Sequence, residues 1–178
     1  MERPKAFSAS GLAKCRPKRF VPDSAIDRTC AVRFGAVREA VLAHHAAGWR
    51  ASPRGALAAI ILTDQFSRNT ARGAAAAFAA DPLARALTRE ALSKGWSGEI
   101  DEAQRQFLFM PMMHSETMTD QACSLTLFAA LGGSPLDYAR RHAAQIARFG
   151  RFPQRNAALG RPNTPAEQAF LADPANRF

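Results

Sequence analysis

At 178 residues and 47% hydrophobic content, the chain has the size of one domain and enough apolar residues to bury a continuous core. Its formal charge of +9 favours anionic partners in general and singles out none, because the basic residues are spread along the chain apart from Lys14, Arg16, Lys18 and Arg19. No apolar run nears the roughly 20 residues that cross a bilayer. The start of the chain lacks the apolar stretch of a secretory signal, and Cys15, Cys30 and Cys123, odd in number and widely separated, form no C-x-x-C pair of a metal knuckle or redox motif, so a reducing cytoplasm is expected.

In chain order, residues 1–22 are rich in Arg, Lys, Ser and Pro. Pro4, Pro17 and Pro22 oppose the amphipathic helix of a transit peptide, which predicts a disordered or loosely docked basic arm ahead of a single domain over 23–178. Alanine is abundant and valine and isoleucine scarce, which favours helices over sheet. Asp23 or Ser24 is positioned to cap a first helix carrying Ile26, Phe34, Val37 and Val41 towards Trp49. Ser52-Pro53, Asp81-Pro82, Ser134-Pro135 and Thr164-Pro165 then repeat one signature, a capping side chain followed by a proline that gives up only an unpaired donor. Thr164 to Glu167 has capping-box spacing, Thr117 caps a helix running to Gly132-Gly133, and Asp101 to Phe109 predicts a shorter helix ended by Pro111. Gly95 and Gly150 read as C-terminal stops. Connections this short predict an all-α fold of stacked antiparallel helical hairpins.

The densest polar segments lie at helix ends: Asp64 to Asn69, His114-Ser115-Glu116, and Arg148 to Asn156. Functional side chains are often presented from such loops, although arginines and carboxylates there also serve as clamps between neighbouring hairpins, as Arg68 or Arg155 with Glu116 or Asp64 would. His114 and Glu116 have the H-x-E order of zinc deaminases, but the later P-C-x-x-C ligands are missing. His44 and His45, about 100° apart on a helix, do not chelate one ion together. His142 follows Arg140 and Arg141, which disfavour both its protonation and a bound cation. Neither G-x-S-x-G nor a phosphate-cradling glycine loop occurs, so no metal and no cofactor is implied. An internal echo is visible in Phe66-Ser67-Arg68-Asn69 and Phe152-Pro153-Gln154-Arg155-Asn156, each placing an aromatic, an arginine and an asparagine at a helix exit.

Three motifs, Leu62-Thr63-Asp64-Gln65-Phe66-Ser67-Arg68-Asn69, Met110-Pro111-Met112-Met113-His114-Ser115-Glu116 and Gly150-Arg151-Phe152-Pro153-Gln154-Arg155-Asn156, resemble the hallmark segments of the bacterial "domain of unknown function 924" family. The likeness extends through Ala79-Ala80-Asp81-Pro82, Arg105-Gln106-Phe107-Leu108, Leu159-Gly160-Arg161 and Thr164-Pro165-Ala166-Glu167. It implies a tetratricopeptide-like stack of helical hairpins and no established activity. The family's motif residues fall on Asp64, Gln65, Arg68, Asn69, His114, Ser115, Glu116, Arg151, Arg155 and Asn156. Ser67 departs from the family's proline and loosens the turn; Gln154 replaces a common histidine and removes one base.

The functional expectation is a binding module in which Arg68, Arg151 and Arg155 grip a small anion or an acidic peptide, oriented by Gln65, Asn69 and Asn156. A second is an enzyme of unknown reaction with Glu116 as general acid or base and His114 as its partner. A third is non-specific binding of nucleic acid or an anionic surface through net charge. The first two require the polar motifs to meet in space.

Overall fold

The computed structural model describes residues 24–176. The expected arm over 1–22, the capping side chains of Asp23 and Ser24, and the Ile26 side chain lie outside what is described. Among the described residues the chain is all-helical. The elements are α1 (Ser24–Ala43), α2 (Pro53–Thr63), α3 (Gln65–Thr70), α4 (Asp81–Ser93), α5 (Glu102–Met113), α6 (Met118–Ala129), α7 (Gly133–Phe149) and α8 (Pro165–Ala172). Short 3-10 turns at Ala47–Trp49, Ala75–Ala77, Trp96–Glu99, Pro153–Arg155 and Pro174–Asn176 join or follow them.

Local chemistry explains most of the boundaries. Ser52 Oγ accepts from the Gly55 N–H at 3.1 Å, opening α2 at Pro53. Gly55 is fixed by a close approach, because a Cβ there would sit 2.5 Å from the Trp49 carbonyl oxygen. Thr117 Oγ1 accepts from the Asp120 N–H and opens α6. Thr164 and Glu167 form the full capping box of α8. Gly150, at φ +68°, ends α7 in the left-handed region that glycine tolerates best.

Three expectations need correction. α5 does not end before Pro111 but runs through it to Met113. Residues 107–113 are all buried, and their packing outweighs the hydrogen bond that proline removes. α7 begins at Gly133, with Gly132 as its N-cap and no capping bond from Ser134. α4 begins one residue early, at Asp81 with Ala80 as its cap, so the Asp81 carboxylate is not spent on helix capping. His44 and His45 are exposed and sit not on a helix but in a turn in which His45 and Ala46 have positive φ.

α2 is central and touches α1, α3, α4 and α5, while α4 to α7 pack in succession and α5 also reaches α7. Leu57, Ile60 and Leu62 of α2 join Leu87, Leu108 and Phe128 in one apolar cluster. Phe109 and Phe128 meet edge to face at 5.9 Å across α5 and α6. The arrangement brings the C-terminal end of α2, the N-terminal end of α4, the residues after α5 and the turn after α7 to one region.

Candidate functional site

Asp64 is the pivot between α2 and α3, closing the first through its N–H to the Ile60 carbonyl at 2.8 Å and starting the second. The kink carries its carboxylate inward, where it is 1% exposed. There Oδ1 accepts from His114 Nδ1 at 2.8 Å and pairs with Arg68 Nη1 at 2.9 Å, while Oδ2 accepts from Gln65 Nε2 at 2.5 Å. Arg68 also grips Asp81 with both terminal nitrogens, at 2.9 and 3.0 Å. Arg155 reaches the same Asp81 carboxylate more loosely, at 3.4 Å, and donates from Nη2 to the His114 carbonyl at 2.7 Å. Asp64, Arg68, Asp81, Arg155 and His114 therefore close a ring of polar contacts. The two arginines of the internal echo converge on one carboxylate.

Aromatic side chains wall this ring. The Arg155 guanidinium lies 4.6 Å from the ring centroids of both Phe78 and Phe152, a cation held between two π faces. His142 meets Phe152 edge to face at 5.4 Å, and the His114 and His142 rings are 5.8 Å apart. Burial opposes ionisation of Asp64, but Arg68, His114 and Gln65 outweigh it and hold the carboxyl well below the usual range. His114 is pushed down by burial first, with Arg68 and Arg155 adding to the effect against the attraction of Asp64. His142 falls to about 3 through burial and then the neighbouring His114. Burial, then Arg68, lower Arg155 to about 10. Each of these three cationic groups thus has its charged form disfavoured where it stands.

The hydrogen bonds also define the tautomers. A carbonyl only accepts, so His142 Nδ1 carries the proton it donates to Tyr138 O at 2.8 Å. His114 Nδ1 likewise donates to the ionised Asp64. Nε2 of His114 has no hydrogen-bond partner among the described residues, and the side chain is 14% exposed.

Glu116 belongs to an adjoining lock. Its carboxylate accepts both terminal nitrogens of Arg161, at 2.8 and 2.9 Å, and the Phe152 N–H at 2.8 Å. Burial would raise its pKa, but these donors hold it below the ordinary glutamate value. Glu116 and His114 thus have separate partners: Asp64, not Glu116, shares a hydrogen bond with the imidazole.

The remaining motif residues spread outward. Arg151 grips Glu167 at 2.6 and 2.8 Å, and Glu167 closes the α8 capping box, so this pair fastens the C-terminal helix. Asn156 is fully buried and donates to Asn163 Oδ1 at 2.7 Å. Ser115 Oγ accepts from Arg85, which with Arg89 pairs to Asp120. The Asn69 side chain makes no hydrogen bond among the described residues. Ser67 is buried, donates to the Thr63 carbonyl at 2.6 Å and accepts from Arg38 at 3.0 and 3.1 Å, so the turn is tied rather than loosened.

Sequence reasoning missed Asp81, Phe78 and Phe152 as site residues and set His142 aside. Asp81 looked like a cap. The signal that bore on it was the echo, which placed an arginine at each of two helix exits without naming their shared acceptor. An open groove of about 430 Å³ lies apart from the ring, bordered by Arg148, Phe149, Arg151, Thr164, Ala166 and Glu167. Among the described residues no three His, Cys, Asp or Glu side chains converge as metal ligands, and no helix is long and apolar enough to cross a membrane.

The family model described as "Bacterial protein of unknown function (DUF924)" matches residues 7–175. The chain belongs to this family. A solved structure described as that of "Protein of Unknown Function ATU0120 from Agrobacterium tumefaciens" is similar to this DUF924 chain, with a TM-score of 0.87 and 36% identity over 90% of this chain and 91% of that one. No curated protein matches at a significant level. The function of this DUF924 protein is unknown, and its own geometry has to carry any assignment.

Proposed function

We propose that this DUF924 protein is a recognition module that binds a small oxyanion, a carboxylate or phosphate group, at Arg155, on a tetratricopeptide-like stack of helical hairpins. The observation that carries the reading is the uneven sharing of Asp81. Arg68 takes that carboxylate with two short contacts, whereas Arg155 has only a 3.4 Å contact to it. Arg155 is held in place by two phenyl rings and the His114 carbonyl but has no carboxylate to itself. A preorganised guanidinium of this kind loses little freedom on binding, and each charge-assisted hydrogen bond to an oxyanion contributes about 1.5–3 kcal/mol.

Arg68 sets the local potential, while Arg151, committed to Glu167, serves the scaffold. Of the three amides expected to orient the ligand, Gln65 and Asn156 are engaged with Asp64 and Asn163, which leaves Asn69 for that role. The Arg155 side chain is 12% exposed, a narrow aperture that suits a small anion better than an acidic peptide. An acid–base enzyme built on a Glu116–His114 pair is the weaker reading, because each group is held by other partners. Phosphate-backbone binding through these arginines is weaker still, since Arg68, Arg151 and Arg161 face carboxylates.

The test is titration of the full chain with sulfate, inorganic phosphate and acetate at low ionic strength, followed by calorimetry and NMR. Arg155→Lys keeps the charge and loses the planar fork; the expected result is at least a tenfold loss of affinity with the helical fold retained. Undiminished binding in that variant would sink the reading.

A further inference from the structure

We propose that oxyanion capture at Arg155 is coupled to uptake of one proton at Nε2 of His114, making His114 a second binding residue of the same site. The inference rests on the reading above and deepens it. Arg155 donates to the backbone carbonyl of His114 and its charge also bears on the His114 imidazole. Asp64 fixes the ring through Nδ1, which makes Nε2 the nitrogen that accepts a proton.

The groups that face His114 are Asp64 and Arg68 from the α2–α3 junction, Arg155 from the turn after α7, and His142 from α7. Without ligand, the two guanidiniums and burial oppose a third positive charge there, and the imidazole is neutral at pH 7. An anion on Arg155 offsets that positive field. The imidazolium then gains both the anion and the buried Asp64 carboxylate as counter-charges, so protonation and binding support each other.

His142 limits the uptake to one proton. It faces His114, Arg155 and Arg141, and its Nδ1 proton goes to a backbone carbonyl. With ring centres 5.8 Å apart, a second imidazolium would be repelled by the first and by Arg155. The ligand favoured is an oxyanion that stays fully ionised while the protein supplies the proton.

Sulfate is the probe, because its charge does not change over the range studied. Calorimetry of the full chain is run at pH 7 in two buffers of different ionisation enthalpy, and the affinity is followed from pH 8 to pH 6. The expected result is uptake of close to one proton per sulfate, with affinity rising by up to about tenfold per pH unit as pH falls. His114→Gln should bind sulfate more weakly and without proton uptake, whereas His142→Phe should retain the uptake. If His114→Gln does not fold, the His114 ring signal of the unmodified protein is titrated by NMR with and without sulfate, and its midpoint should rise on binding. Sulfate binding with no proton uptake, uptake that survives His114→Gln, or an unmoved midpoint each overturn this inference and leave the anion site standing. Absence of sulfate binding overturns both.

Discussion

Asp81→Asn is the most informative single change, because one carboxylate serves two guanidiniums. Asp81 accepts two short contacts from Arg68 and a longer one from Arg155. Asparagine keeps the shape and one acceptor but removes the charge. Breaking a buried ion pair costs about 3–5 kcal/mol. Arg68 keeps Asp64 as a partner and Asp81 is partly solvated, so the loss here should be nearer 2–3 kcal/mol. At this chain length that corresponds to a fall of about 4–12 °C in melting temperature. Asp81 also stands in the first turn of α4, where a negative charge contributes roughly 0.3–1 kcal/mol on its own. A double-mutant cycle with Arg68→Met separates this share, and the coupling energy should exceed about 1 kcal/mol. The change also removes the internal competitor for Arg155, so sulfate affinity should rise while stability falls. A stability loss below about 0.5 kcal/mol together with unchanged sulfate binding would refute both the role of the ring and the reasoning from shared charge.

Other outcomes follow from the same geometry. His142 is depressed from the ordinary 6.5 to about 3, so between these values the folded state binds fewer protons than the unfolded chain and stability falls with pH. From pH 7 to pH 5 the loss from this residue is about 2 kcal/mol, readable by urea denaturation, and His142→Phe should reduce the slope by that share, leaving the share of His114, whose value is lowered too. The lowered carboxyls of Asp64 and Glu116 lose their contribution only below the ordinary carboxylate range, so they leave this window clear. Thr164→Ala removes the α8 cap and should cost about 1 kcal/mol, with hydrogen exchange accelerating first in α8.

The helices were legible where local chemistry decides them. Ser52-Pro53 and Thr164-Pro165 open α2 and α8 as their capping groups predict, and Gly150 ends α7. Asp81-Pro82 and Ser134-Pro135 carry the same signature, yet α4 and α7 begin at Asp81 and Gly133 without a bond from these side chains. A cap motif does not distinguish a side chain turned to its own helix from one claimed by a distant partner. The site was half legible for the same reason. Asp64, Arg68, His114 and Arg155 stood out as polar groups at helix ends, but their contacts join residues 50 apart for Asp64 and His114 and 74 apart for Asp81 and Arg155. Pairings of that span come from tertiary packing, which local periodicity does not encode. Pro111 shows the converse, since a strong local stop signal yields to the burial around it.

The ring is also spread along the order of synthesis. Asp64, Arg68 and Asp81 leave the ribosome first, His114 follows, and Arg155 comes 74 residues after Asp81, so the first arginine on Asp81 is made well before the second. The ring of contacts closes only once Arg155 has been made. The same stretch supplies Phe152 and Arg161, which engage Glu116, so closing the ring and fastening this stretch to the body go together.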